Sequence, residues 1–174
     1  MHSPTQPYFA YGSNLNITDM RARCPNARPG LPARLEGWRL TFRGVADIEP
    51  AEGRVVHGAL WWLSRSDVRR LDAYEGAPSN YRQKKVEVQT DDRPYSAMTY
   101  VMTEPTYVGL PSSWYLGRIE AGFGHWGLPL AELELAFRDT HHELVALGVD
   151  RYLPDGGKRM KALGPDGTGF VAQR

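Results

Sequence analysis

Two runs, YRQKKVEVQT at Tyr81–Thr90 and YSAMTYVM at Tyr95–Met102, flank Asp91-Asp92-Arg93-Pro94. Strand-forming runs separated by four turn-forming residues predict an antiparallel hairpin. Upstream, the aromatic run Tyr8–Tyr11 ends in Gly12-Ser13-Asn14, as a short buried strand does. Leu35–Arg43 places Trp38, Leu40 and Phe42 on one face, and Val55–Leu63 (VVHGALWWL) is a further strand. Asp47–Gly53 between them has the composition of a turn.

Helical signals punctuate and then follow these strands. Asn16 or Thr18 can cap a short helix through Arg23, which Pro25 stops. Ser64 or Ser66 can cap a helix to about Tyr74, with Gly76 as its left-handed stop. After Pro111, Ser112 or Ser113 opens a helix from Tyr115 to about Gly122. A second runs from Pro129 to about Leu147, with Leu130, Leu133, Phe137 and Leu144 on a 3.6-residue period and Gly148 closing it. Strands first and helices later predict one α+β domain. Its expected limits are 8–149, between a loose terminus at 1–7 and a Gly/Pro-rich tail at 150–174, mostly loop.

Bulk composition narrows the function. The 174 residues are 41% hydrophobic and 24% charged, with 21 basic against 20 acidic side chains. A net charge of +1 carries no polyanion-binding signal, so no nucleic-acid partner is expected. Arg82, Lys84 and Lys85 read as a solvated strand face. No apolar stretch approaches the roughly 18–20 residues that span a bilayer, and Met1–Pro7 lacks the pattern of a secretory signal. The expected location is the cytoplasm, with no membrane partner, and the Asn16-Ile17-Thr18 sequon has no role there.

Nucleotide loops, a nucleophile elbow and metal-ligand spacings are absent from the sequence. His141-His142-Glu143 lacks the second histidine at i+4 that a zinc helix needs, and reads as exposed polar surface. Cys24, the single cysteine, has no base beside it in sequence and reads as a plain buried or half-buried thiol.

Two segments carry chemistry. Tyr11-Gly12-Ser13-Asn14-Leu15 breaks a strand into a helix start and can gather backbone N–H groups into an oxyanion or anion site. It can equally be an ordinary strand-to-helix turn. In Ser66–Gly76 (SDVRRLDAYEG), helical geometry sets Glu75 within about 20° of Val68 on the inward face. Burial and the negative end of the helix dipole would both raise its pKa toward that of a base working near neutrality. Alternatively its acids are surface groups paired with Arg69 and Arg70. Asp72 lies near the same face.

The order and spacing of these segments resemble the gamma-glutamylcyclotransferase family, including its AIG2-like and butirosin-type members. The likeness starts at YFAYGSNL (Tyr8–Leu15) and MRARCP (Met20–Pro25), continues through LDAYEG (Leu71–Gly76) and the strands from Tyr81 and Ala97, and ends in Pro111–Pro129. Tyr115, Gly122 and Gly127-Leu128-Pro129 fall in that last stretch. Phe123, where many members carry a small residue, is a departure.

The resemblance implies a small, mostly antiparallel β-barrel with helices packed outside. It implies intramolecular attack of a γ-glutamyl α-amine on its own γ-carbonyl, which releases 5-oxoproline and an amine or amino acid. Glu75 would be the catalytic acid/base; Tyr11, Gly12, Ser13, Asn14 and Leu15 would bind substrate, with Tyr115 either a pocket wall or part of the helix core. No metal or cofactor is implied, and the partner is a small γ-glutamyl compound. The alternative is a non-catalytic small-molecule-binding member of the same fold. Neither the substrate nor the oligomeric state is legible in the sequence.

Overall fold

The computed structural model describes residues 5–105, 107–148, 161–162 and 170–173. Strand β1 (Gln6–Ala10) leads through a 3-10 turn at Ser13–Leu15 into helix α1 (Ile17–Arg23). The long strands β2 (Arg28–Phe42) and β3 (Ala46–Leu63) follow, then α2 (Arg65–Glu75), β4 (Tyr81–Gln89) and β5 (Pro94–Met102). The two-residue β6 (Tyr107–Val108) precedes α3 (Ser113–Trp126) and α4 (Leu130–Ala146), and β7 (Lys161–Ala162) and β8 (Phe170–Gln173) complete the order.

Five strands close a barrel in the order β1-β3-β2-β4-β5. Every pairing is antiparallel except β1 with β5, which meet in parallel at Tyr8 and Met98. This is the mostly antiparallel barrel that the resemblance implied. Closure hides strand edges that would otherwise invite association. Phe9, Phe42, Leu60, Trp61 and Leu63 are fully buried, with Leu71 of α2 and Ile119 and Phe123 of α3 in the same core. A large apolar side chain buried this completely contributes roughly 1.5–3 kcal/mol.

The helix caps follow the sequence signals. Asn16 accepts from the Thr18 and Asp19 amides at the start of α1. Ser64 and Asp67 form a capping box on α2, and Gly76 closes that helix at φ 62°. Such a left-handed residue satisfies the last carbonyls at little cost when it is glycine.

Several boundaries differ from the expectation. Asp47–Gly53 is not a turn but part of the 18-residue β3, paired with β2 from Phe42↔Ala46 onward. Its polar residues are used by the ladder: Arg43 Nε donates to Asp47 Oδ2 at 3.0 Å, and Arg43 Nη2 to Glu49 Oε2 at 2.6 Å. β2 begins at Arg28 rather than Leu35, accommodating Pro29 and Pro32 through a register shift. In the hairpin Pro94 pairs with Gln89, so the loop is Thr90–Arg93, not Asp91–Pro94. Thr90 Oγ1 organises it by accepting from the Asp92 and Arg93 amides. α3 continues past Gly122 to Trp126 because Gly127, at φ 65°, supplies its stop. Within the tail, where loop was expected, β8 pairs with both β6 and β7; the rest of 149–174 lies outside the described residues.

Candidate active site

Glu75 is the last residue of α2, four positions after the fully buried Leu71. That spacing puts both on one helix face, so the core contact of Leu71 turns Glu75 inward. Asn14 approaches it from the 3-10 turn after β1, a turn closed by Leu15 N–H to Gly12 O at 3.0 Å and Asn16 N–H to Ser13 O at 3.1 Å. Asn14 Nδ2 donates to Glu75 Oε1 at 3.0 Å and to the Tyr8 hydroxyl at 2.8 Å. Glu75 thus has Asn14 as its partner, not Arg69 or Arg70, which are exposed.

These groups line a small pocket that is open to solvent. Its walls are Gly12, Ser13, Asn14, Ala46 and Glu75, together with Tyr8, Tyr11, Tyr81, Tyr100 and Tyr115. Hydrogen bonds lock the aromatic wall. The Tyr11 hydroxyl donates to Tyr100 O at 2.7 Å and that of Tyr81 to Ala46 O at 2.8 Å. The Tyr115 hydroxyl accepts from the Ala46 amide at 3.1 Å. The Tyr100 hydroxyl donates to Asp72 Oδ1 at 2.7 Å, so Asp72 stands behind the wall rather than in it.

Burial dominates the electrostatics. It raises the Glu75 carboxyl from an ordinary 4.5 to about 7, against the opposing pull of the Asn14 hydrogen bond and the Arg23 charge. All five tyrosines are pushed well above their usual range, again chiefly by burial. At neutral pH the wall is therefore a set of neutral O–H groups around one carboxyl poised to gain or lose a proton.

Of the residues singled out from sequence, Tyr11, Gly12, Ser13, Asn14, Glu75 and Tyr115 meet at this pocket. Leu15 does not. It is fully buried and packs on α3, where a Cβ at Gly122 would lie only 2.6 Å from its own Cβ. Phe123 likewise belongs to the core and leaves the pocket wall untouched. Cys24 is buried, its thiol raised to about 12 by loss of solvent, while His141 and His142 are exposed. Among the described residues no group of three or more His, Cys, Asp or Glu side chains is placed to hold a metal ion. No helix among them is long and apolar enough to cross a membrane.

Sequence reasoning missed Tyr8, Ala46, Tyr81 and Tyr100 as wall residues, and Arg23 behind Asn14. For the tyrosines a signal existed: each lies in a predicted strand, at or near its end or on the inward side. Only assembly of the barrel shows that three separate strands, β1, β4 and β5, bring them to one pocket.

Residues 8–117 match the family model described as Gamma-glutamyl cyclotransferase, AIG2-like. The chain is 33% identical over 137 residues to a gamma-glutamylcyclotransferase of Homo sapiens, covering 71% of this chain and 72% of that protein. A Bos taurus gamma-glutamylcyclotransferase is 34% identical over the same length and coverage. Among solved structures, one named gamma-glutamyl cyclotransferase superposes with a TM-score of 0.65 at 26% identity, covering 88% of this chain and 92% of that one. An uncharacterized Homo sapiens protein gives a TM-score of 0.66 at 27% identity, covering 90% and 94%.

Proposed function

The chain belongs to the AIG2-like gamma-glutamyl cyclotransferase family, and on that premise we propose that it cyclises the γ-glutamyl group of a small amide with Glu75 as general acid/base. The carrying observation is a carboxyl held near neutrality, at about 7, inside a pocket of neutral hydroxyls. A base of that pKa can accept a proton and return it within one turnover.

The steps balance within the substrate. Ionised Glu75 takes a proton from the α-ammonium, and the freed amine attacks the γ-carbonyl carbon, forming a C–N bond. The carbonyl oxygen becomes an oxyanion. Because the Leu15 and Asn16 amides are engaged inside the turn, we assign the oxyanion's stabilisation to the remaining N–H groups of Gly12–Asn14. Such preorganised donors are commonly the largest single source of acceleration in acyl transfer. Protonated Glu75 then gives its proton to the leaving nitrogen and the amide C–N bond breaks. The ionised carboxylate takes the second proton of the ring nitrogen and passes it to the departing amine, leaving 5-oxoproline, a protonated amine and Glu75 ionised again. Holding the glutamyl chain curled against Tyr8, Tyr11 and Tyr115 makes the attack intramolecular, which removes much of the entropic barrier.

A non-catalytic binder of the same fold has less support. A half-buried carboxylate held by the neutral Asn14 amide is costly to maintain, and binding a neutral or anionic ligand does not need it.

The test is a panel of γ-glutamyl amino acids, a γ-glutamyl tripeptide and γ-glutamyl polyamines, with 5-oxoproline and free amine both quantified. The expected result is equimolar release of the two from at least one compound. Amine release accompanied by glutamate would mean hydrolysis, and no release from any compound would favour the binder.

A further inference from the structure

Asn14 is itself held from behind. Arg23, the last residue of α1, donates through Nη1 to Asn14 Oδ1 at 2.6 Å and to Ser13 Oγ at 3.3 Å. Its guanidinium is fixed in turn by the Tyr74 ring, 4.0 Å from its centroid, and by Asp19 at 3.8 Å. A guanidinium has only donors, so the amide atom facing it must be the oxygen. The amide nitrogen is thereby turned the other way, toward Tyr8 and Glu75 Oε1.

We propose that Arg23 is a positioning residue for the cyclisation: by locking the orientation of the Asn14 amide it commits Glu75 Oε1 to Asn14 and presents Oε2 to the substrate as the proton-transferring oxygen. This rests on the reading of Glu75 as the acid/base. Without Arg23 the amide can rotate by half a turn and offer Glu75 its oxygen, an acceptor facing an acceptor. The carboxylate would then lose its hydrogen bond and its aim together.

The groups facing Glu75 make the consequence readable. Tyr8 in β1, Tyr11 just after it, Tyr81 in β4, Tyr100 in β5 and Tyr115 in α3 surround it, all kept neutral by burial. Among the described residues, the cation that acts on it is Arg23. Removing that charge and the Asn14 donor shifts the carboxyl in one direction, toward higher proton affinity.

The variants are Arg23→Met, which keeps the apolar stem, and Arg23→Lys, which keeps the charge. Glu75 is titrated by carboxyl ¹³C NMR, its resonance assigned as the one missing from Glu75→Gln. In Arg23→Met the midpoint is expected to rise by about 0.5–1 unit, the scale of a nearby charge partly screened by solvent. Its kcat should fall about 10-fold or more, with KM changed far less, because aim is lost and not binding. Arg23→Lys should recover most of the midpoint. A purely structural role for the stem predicts Arg23→Met like the parent in both readouts.

An unmoved midpoint in Arg23→Met overturns the inference, and so does a parent-like kcat. Should Arg23→Met not fold, Arg23→Gln decides in the same way, since it also removes the charge. A parent enzyme that releases no 5-oxoproline would overturn the cyclisation reading instead, and the titration would still decide whether Arg23 sets the state of Glu75.

Discussion

At pH 8 the Glu75→Gln protein should be more stable than its parent, which is the reverse of what replacing a paired surface acid would do. Burial raises the folded-state pKa of Glu75 from 4.5 to about 7. Below pH 4.5 the side chain is protonated whether the chain is folded or not, and it costs nothing. Between 4.5 and 7 the unfolded chain releases the proton while the folded one keeps it, so stability falls as pH rises, levelling off above 7. At about 1.4 kcal/mol per unit the full penalty is roughly 3 kcal/mol. Glu75 is half-buried, and solvent screening reduces this to about 1–2 kcal/mol. Gln keeps an acceptor for Asn14 but has no charge to desolvate. For a chain of this length, that gain is about 2–8 °C in Tm at pH 8. Melting curves of parent and variant at pH 4.5, 6, 7 and 8 should show a gap opening from nothing across this range. A variant less stable than the parent at pH 8, or a gap that ignores pH, would refute the account of Glu75 as a desolvated carboxyl.

Three further outcomes follow from local geometry. Gly12→Val would put its first side-chain carbon 3.0 Å from Ala46 Cβ and 3.6 Å from the Tyr115 hydroxyl. Its φ of −120° lies outside the left-handed region, so stability should fall by only about 1–2 kcal/mol while kcat/KM drops by about 100-fold or more; parent-like kcat/KM would separate the loop from substrate. Gly122→Ala would drive a Cβ to 2.6 Å from Leu15 Cβ and 2.9 Å from the Leu15 carbonyl carbon. A loss of about 2 kcal/mol or more in urea unfolding is expected, and a neutral result would show that α3 does not seat on this turn. Cys24, buried with its thiol at about 12, should resist a disulfide reagent at pH 8 in the native protein and react fully in denaturant.

How far the sequence discloses this molecule depends on the range of the interaction concerned. The caps are set by residues within three or four positions: Gly76 was legible outright, and Asn16 and Ser64 each as one of two candidates, Thr18 and Ser66 being the others. Glu75 facing inward was legible from helical periodicity, because Leu71 fixes the buried face. Asp47–Gly53 was misread because its strand character comes from Arg43, β2 and the Met102 amide, the last of which is 55 residues away from Asp47. Leu15 was assigned to the pocket with its motif, yet the 3-10 turn rotates it away from Asn14 and into the core. The tyrosine wall required barrel closure, which no local pattern encodes. Arg23 lies only nine residues from Asn14, but its role rests on a turn geometry no periodicity encodes and on the donor-only chemistry of a guanidinium facing one atom of Asn14.

Proton transfer by Glu75 is the central claim, and the rate of 5-oxoproline release by Glu75→Gln, measured on the best γ-glutamyl substrate of the parent, tests it most directly. Gln retains the shape and the Asn14 hydrogen bond but cannot accept or return a proton. A positioned acid/base contributes typically 10²–10⁴-fold, so kcat should fall by at least about 100-fold while substrate affinity, measured by calorimetry on the same variant, stays near that of the parent. Cyclisation at the parent rate in Glu75→Gln would contradict the claim and turn attention to Asp72, the neighbouring carboxylate that Tyr100 and Gln83 hold behind the wall.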